Sequence, residues 1–330
     1  MKKILVTGAS GFVGFHLVSA AYEAGYEIHA AVRRSSQITD INPFVGKFVY
    51  PDFNQINSWA TLFASEKYDY VIHAAAMTKA KSEVEMMDAN VGVTERLLQA
   101  AFQSPNPPQR LVYVSSLAAI GPVSYLDGPI TESTPYRPVT MYGRSKREAE
   151  KMIRGKFADK PISIIRPTAV YGPREKDLFI LFNTMNKGID AYVGRAPQKL
   201  SFVYVKDLVE ILLRACVSSQ TILDIFNISD GNVYSRYEMA EIFKQTFRKK
   251  LVRVHVPYAI VKSVAHVSQW LYSNSVKTPV IYPERLGELT AENWACDISH
   301  AETVLGYRPV YDLNRGLTDS LRWYKQNNWF

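Results

Sequence analysis

Two side chains four residues apart carry the clearest chemical suggestion in this chain. In Tyr142-Gly143-Arg144-Ser145-Lys146 a phenol and an ammonium share one face of a predicted helix. A free phenol has a pKa of about 10. A cation beside it favours the phenolate, so the spacing predicts a tyrosine tuned downward that gives or takes a proton near neutral pH. Such pairs are common on surface helices, and the rest of the chain sets this one apart. It follows a Ser115-Ser116 strand end by about 26 residues and a glycine turn by about 130.

That turn is Thr7-Gly8-Ala9-Ser10-Gly11-Phe12-Val13-Gly14, between a short β-branched run and a helix-like stretch. Glycines there permit a tight turn and let a pyrophosphate reach the backbone, while the first N–H groups of the helix offer it partial positive charge. The spacing is GxxGxxG rather than the commoner GxGxxG. The second strand ends Ala31-Val32-Arg33-Arg34-Ser35, without the acid that binds ribose hydroxyls in NAD enzymes. Arg33 can pair with a 2′-phosphate, which favours NADP over NAD. Its other uses are stacking on adenine or lying in solvent.

These residues need a scaffold, and the hydrophobic pattern supplies one. Lys3 to Thr7, Glu27 to Val32, Phe48 to Tyr50, Tyr70 to Ala74, Arg110 to Ser115 and Ile162 to Ile165 read as strands. Phe12 to Ala24, Val84 to Phe102 and Tyr142 to Phe157 read as helices between them. The alternation predicts an α/β fold, a Rossmann doubly wound parallel sheet covered on both faces. Beyond it, Phe202 to Val205 and Ile225 to Ile228 read as strands, Tyr237 to Phe247 and Arg315 to Trp323 as helices, and Gly306 to Pro309 as a turn. The expectation is a dinucleotide domain over residues 1–170 with returns near 200–230. Residues 171–330 mainly form a smaller, interleaved substrate lobe.

Composition narrows the functional classes. The chain has 330 residues, 47% of them apolar and 21% charged, as in globular proteins. The net charge is +8, but basic residues are scattered, with only short pairs such as Arg33-Arg34 and Lys249-Lys250. That argues against nucleic acid and suits anionic small molecules such as dinucleotides and nucleotide sugars. Cys216 and Cys296 form no CxxC unit, which fits inert thiols in the cytoplasm. Lys2 and Lys3 lead straight into a strand, unlike a signal peptide. No apolar run predicts a membrane span. Val256 to Tyr272 comes nearest to an amphipathic anchor, but Lys262, His266 and Gln269 interrupt it, so it reads as a helix of the substrate region. The six histidines show no paired ligand spacing, so no metal is expected.

With these residues in hand, the chain resembles the extended short-chain dehydrogenase/reductase family, often labelled NAD-dependent epimerase/dehydratase. The resemblance spans nearly the whole sequence. It rests on Gly8, Gly11 and Gly14; Asp52; His73-Ala74-Ala75-Ala76; Asn90 to Thr94; Val114-Ser115-Ser116; Tyr142 and Lys146; Arg166-Pro167; Val170 to Pro173; Val205 to Leu208; Leu305 to Tyr307; and Trp323-Tyr324. It implies that Asp52 bonds the adenine amine with Phe53 beside it. Ala74, Ala75 and Ala76 bring backbone to the pyrophosphate and ribose, and Pro167 to Val170 line the carboxamide. Ser116 falls at the position of the family's catalytic Ser/Thr, Tyr142 is the acid/base, and Lys146 holds the nicotinamide ribose. His73 reads as a structural residue at a strand end. A homodimer through the helices at 84–102 and 142–157 is implied as well, with a monomer as the alternative.

Details within the resemblance separate its branches. Sugar 4,6-dehydratases carry Asp-Glu after the catalytic Ser/Thr, whereas Leu117-Ala118 follows here. Many nucleotide-sugar epimerases carry Asn where this chain has Ala169. Both features, and the Val32-Arg33 strand end, look more like the dihydroflavonol-reductase and 3β-hydroxysteroid-dehydrogenase branches. The expected function is reversible hydride transfer between a nicotinamide and a small-molecule carbonyl or secondary alcohol. A nucleotide-sugar 4-epimerase or reductase is the alternative, since Val170-Tyr171-Gly172-Pro173 is shared with sugar enzymes. A non-catalytic dinucleotide sensor is the alternative of another class.

Overall fold

A computed structural model describes residues 1–219, 222–272 and 282–330. The first half runs β1 (Lys3–Thr7), α1 (Phe12–Glu23), β2 (Glu27–Ala31), β3 (Lys47–Val49), α2 (Ile56–Ser65), β4 (Tyr70–His73), α3 (Glu83–Met87), α4 (Val93–Gln103), β5 (Arg110–Val114), α5 (Met141–Lys156) and β6 (Ile162–Pro167). The second runs β7 (Ala169–Tyr171), α6 (Asp177–Asn186), β8 (Ile189–Val193), β9 (Phe202–Tyr204), α7 (Val205–Cys216), β10 (Asp224–Ile228), α8 (Glu238–Phe247), β11 (Val252–Val256), α9 (Tyr258–Leu271), α10 (Pro283–Thr290), α11 (Ser299–Leu305) and α12 (Leu313–Gln326).

Apolar side chains on both faces of the strands dictate the layers. In β1, Ile4 and Val6 join one core and Leu5 the other. Such a strand needs cover on both sides. The first core is closed by Leu17 and Val18 of α1 and by Leu208 and Leu212 of α7. The second is closed by Trp59 of α2, Leu97 of α4 and Ile153 of α5. Between them lies a seven-stranded sheet in the order β3-β2-β1-β4-β5-β6-β10, with every pairing parallel. Strand order reverses between β1 and β4, and in open parallel sheets the crevice beyond the carboxyl ends at that switch is where ligands bind.

The expected strands and helices of the first half are present to within a residue or two. The predicted helix over 84–102 is α3 and α4, joined by one π turn at Asp88–Gly92. The periodicity did not single out α2, α6, α7, α10, α11 or the strands β8 and β11. Helix α7 starts at Val205 directly after β9 and packs on α1, and β10 pairs with β6, so the chain returns to the sheet after leaving it. A third core, with Phe182, Phe243, Leu317 and Tyr324 from α6, α8 and α12, belongs to the second lobe.

Several motif residues prove to hold this lobe in place. The Asp207 carboxylate accepts the N–H groups of Val310 and Tyr311, at 3.2 and 2.9 Å. Tyr307 donates to the Ser229 carbonyl, and Tyr324 to the Gly172 and Glu175 carbonyls.

The deepest polar contact joins α5 to the sheet. Arg166 of β6 and Glu150 of α5 are both fully buried, and Arg166 Nη2 donates to Glu150 Oε2 at 2.6 Å. Ser115 and Tyr136 donate to the same carboxylate, at 2.5 and 2.8 Å. Removing one member of a buried pair strands the other, at a cost of about 3–5 kcal/mol. We expect urea unfolding of Glu150→Leu to show a loss of that size, and Glu150→Leu with Arg166→Met to recover at least half of it. A single variant within about 1 kcal/mol of wild type would remove the pair from this role.

Candidate active site

The carboxyl ends of β1 and β4 meet backbone to backbone. Gly8 sits at φ +74°, and a Cβ there would lie 2.6 Å from the Ala75 nitrogen. The Ala75 N–H donates to Thr7 Oγ1 at 3.1 Å. Thr94 donates to the Asn90 carbonyl, so it accepts from His73 Nε2, and Nδ1 is left to accept from Thr7 at 2.6 Å. Burial, with the Lys146 charge adding, pushes His73 down to about 3. It is a neutral strut between β1, β4 and the first turn of α4.

Helix α1 opens after Gly11 without a side-chain cap, and Phe12, Val13 and Gly14 form its first turn. A helix start of this kind leaves N–H groups for an anion. The narrow crossing at Gly8, the open helix end and Ala74 to Ala76 facing it across the switch fit a dinucleotide's pyrophosphate. Arg33 is exposed just past β2, its own N–H bonded to Ser36 Oγ. Arg34 instead lies over the Tyr50 ring, 5.5 Å from its centre. Beyond β3, Asp52 accepts the Asn54 N–H at 2.9 Å, and Phe53 packs edge-on against Trp59. Pro167 ends β6 and is buried, with Val170 half-buried in β7. The predicted binding residues thus share the carboxyl edge of one parallel sheet.

Ser116, Tyr142 and Lys146 converge on the same edge. Ser116 follows β5 and accepts the Ala118 N–H at 3.2 Å. Gly143 lets α5 close on that turn, since a Cβ there would stand 2.3 Å from the Ala118 carbonyl oxygen. Thr140 caps α5 by accepting the Gly143 N–H. Lys146 is buried, donating to the Val114 carbonyl at 2.7 Å and to Tyr113 Oη at 3.3 Å, with Nζ 5.8 Å from the Tyr142 ring centre.

The electrostatics correct one expectation. The spacing predicts a Tyr142 pKa lowered by Lys146. Burial instead pushes Tyr142 well above its ordinary value, Ser116 opposes the rise by hydrogen bonding, and the Glu288 charge adds to it. Burial also pushes Lys146 down to about 7, with Glu150 opposing. Desolvation outweighs proximity, since Lys146 is fully buried and Tyr142 is partly buried beside it. The free site therefore holds a neutral phenol.

Several supporting residues escaped the sequence reading. Glu284 of α10 accepts the Met141 N–H at 2.8 Å and pairs with Arg144, which also pairs with Glu83 of α3. Glu288 lies one turn further along α10, its carboxyl raised by burial. Asn90, named in the resemblance without a role, lies in the π turn and donates to Ser145 Oγ at 2.8 Å, and Ser145 donates to the Tyr142 carbonyl. An acid four residues after another on a short helix, Glu284 and Glu288, was the only signal available for that pair.

Comparison with known proteins follows the geometry. Residues 4–229 match the profile of the NAD dependent epimerase/dehydratase family. UDP-glucose 4-epimerase from Vibrio cholerae is 28% identical over 339 residues, covering 99% of this chain and 97% of that one. A 3-beta-hydroxysteroid dehydrogenase from Mycolicibacterium neoaurum is 26% identical over 347 residues, covering 98% and 92%. The fold is shared with the solved UDP-glucose 4-epimerase of Thermotoga maritima with UDP-glucose, at TM-score 0.77 and 21% identity over 99% of each chain. It is shared too with dTDP-glucose 4,6-dehydratase of Bacillus anthracis in complex with NAD, at TM-score 0.76 and 19% identity, covering 100% of this chain and 99% of that one.

The Lys146 environment has a measurable consequence. An unfolded lysine titrates at about 10.4, so between about pH 7 and that value the unfolded chain binds a proton that the folded one does not. This group makes stability rise with pH across that window, and its full penalty stands below it. Lys146→Met should melt about 2–6 °C above wild type at pH 6, with the gap narrowing towards pH 10. Melting curves whose difference ignores pH would contradict the assignment.

Proposed function

Because the chain belongs to the NAD dependent epimerase/dehydratase family, we propose that it catalyses hydride transfer between a nicotinamide dinucleotide and a small-molecule carbonyl or secondary alcohol. The observation that carries this reading is the neutral Tyr142 phenol beside Ser116 at the carboxyl edge of the sheet, in line with the glycine turn. The dinucleotide, when bound, supplies or accepts the hydride. The backbone of Gly8, Gly11, Phe12, Val13 and Gly14 holds the pyrophosphate, with Ala74, Ala75 and Ala76 opposite. Asp52 and Phe53 take the adenine, Pro167 and Val170 flank the carboxamide, and Lys146 holds the nicotinamide ribose.

The carbonyl oxygen of the substrate sits between Ser116 and Tyr142. Ser116 donates a hydrogen bond to it. As the carbonyl carbon gains hydride, Tyr142 gives its proton to the oxygen and later regains one from solvent. Oxidation runs the same step backwards, with Tyr142 accepting the alcohol proton.

NADP is the preferred cofactor on this reading, supported by an exposed Arg33 and no carboxylate at the end of β2. The same reading includes a homodimer through α3, α4 and α5, the last two already tied by Lys156 and Glu95. Two free, buried cysteines suit the cytoplasm. A second reading, nucleotide-sugar 4-epimerisation, is favoured by the full-length similarity to the Vibrio cholerae UDP-glucose 4-epimerase.

Two experiments test the assignment. Tyr142→Phe should cut NADPH-driven reduction of a ketone panel by about 10²–10⁴-fold and leave NADPH binding intact. Unchanged turnover would end the acid role. In fluorescence titrations the wild type should bind NADPH about tenfold, or about 1.4 kcal/mol, more tightly than NADH, and Arg33→Ala should abolish the difference. Tighter NADH binding by wild type would transfer the assignment to the epimerase.

A further inference from the structure

The second lobe turns apolar side chains outward in two adjoining elements. At about 100° per residue, Ile260, Val264, Val267 and Leu271 fall within roughly 60° of one another on α9. They are 55%, 53%, 56% and 62% exposed. This stripe is not the one that packs on the protein, which consists of Val261 and Ala265. Lys262, His266 and Gln269 lie on the opposite side, and the helix carries no acid.

Strand β11 leads into α9 through Pro257, and it is equally inverted. It pairs in parallel with β8, setting Ile189 opposite Val252 and Ala191 opposite Val254, and all four are exposed. Asp190 is the buried charge of the ribbon, and Arg253, itself partly exposed, pairs with it at 2.9 Å. Because the strands are parallel, their lead-ins share one end. Lys187, Arg248 and Lys250 stand exposed there, Lys249 bonds Asn186 across it, and residues 186–189 and 246–252 contain no carboxylate.

We propose that α9 and the β8/β11 ribbon form a peripheral membrane-binding surface for anionic bilayers. An acid-free helix with an exposed apolar stripe and Lys262 on its far side, together with the exposed apolar residues and basic lead-ins of the ribbon, matches the interfacial region of such a membrane. A second copy of the chain is the competing occupant, which would use the same patch on both subunits. The surface also lies close to the chemistry. Helix α9 packs on α10, whose Glu284 holds the Met141 N–H next to Tyr142. Resting on the hydride-transfer reading, the carbonyl compound is then an amphiphile drawn from the bilayer.

The test is flotation of the full chain with vesicles of phosphatidylcholine alone or with phosphatidylglycerol added. Wild type should float with the anionic vesicles, and high salt should release it. Val264→Ser with Val267→Ser and Leu271→Ser, or Lys187→Ser with Arg248→Ser and Lys250→Ser, should each lower the bound fraction about tenfold or more. NADPH binding by each variant reports that it is folded. The proposal is overturned if wild type stays soluble at low salt, or if the apolar variant floats as well as wild type. It is also overturned if sedimentation shows that variant to be a monomer where wild type is a dimer, since the face then belongs to a second copy. Activity separates the two layers of the argument. Reduction confined to short, water-soluble ketones removes the amphiphile clause and leaves bilayer binding standing. No reduction at all removes the hydride-transfer reading alone.

Discussion

The site depends on one carboxylate. Glu150 receives Arg166 from β6, Ser115 from the end of β5 and Tyr136 from the loop before α5. These contacts fix the roll and height of α5 against two strands at once. Lys146 lies one turn before Glu150 and Tyr142 about one turn before that, so the same anchor sets where both meet Ser116, the neighbour of Ser115. A cation and an anion buried together gain little net stability over apolar residues of similar size, but they tolerate few alternative registers. Here a helix that is mostly charged outside is held to within hydrogen-bonding precision inside.

Electrostatics then follow from dryness. Lys146 is fully buried and Tyr142 partly so, and loss of hydration pushes each towards its neutral form. A solvated pair at the same spacing would polarise in the opposite sense. Glu284 and Glu288 tighten this arrangement from α10, one by capping the start of α5 and the other by adding negative potential near the phenol. Helix α10 thus contributes to the electrostatic surroundings of Tyr142.

The second lobe explains why parts of the fold were hard to read. Strands β8 and β11 bury Asp190 while exposing Ile189, Val252 and Val254, the reverse of the usual alternation. Helix α7 begins at Val205 with no turn after β9, so the run from Phe202 carries no punctuation where strand becomes helix. Helix α9 is legible as a helix from the sequence, but its most regular apolar stripe lies on the outside. In each case the local pattern is intact, but what it faces is decided elsewhere.

The family resemblance supplied Ser116, whereas the sequence's own pattern determined the strand–turn–helix at Gly8, the alternation that makes a doubly wound sheet, and the candidate pair Tyr142 and Lys146. Those are local matters of glycine, period and spacing, and they survive without knowledge of any neighbour. Only tertiary structure decided the direction of the pKa shifts, because burial is a property of what packs around a group and not of the group four residues away. It alone brought Glu150 to Arg166, Asn90 to Ser145 and Glu284 to Met141, pairs separated by 16 to 143 residues. Long-range pairing of this kind leaves no period in a chain, so its consequences are visible only once the chain has closed on itself.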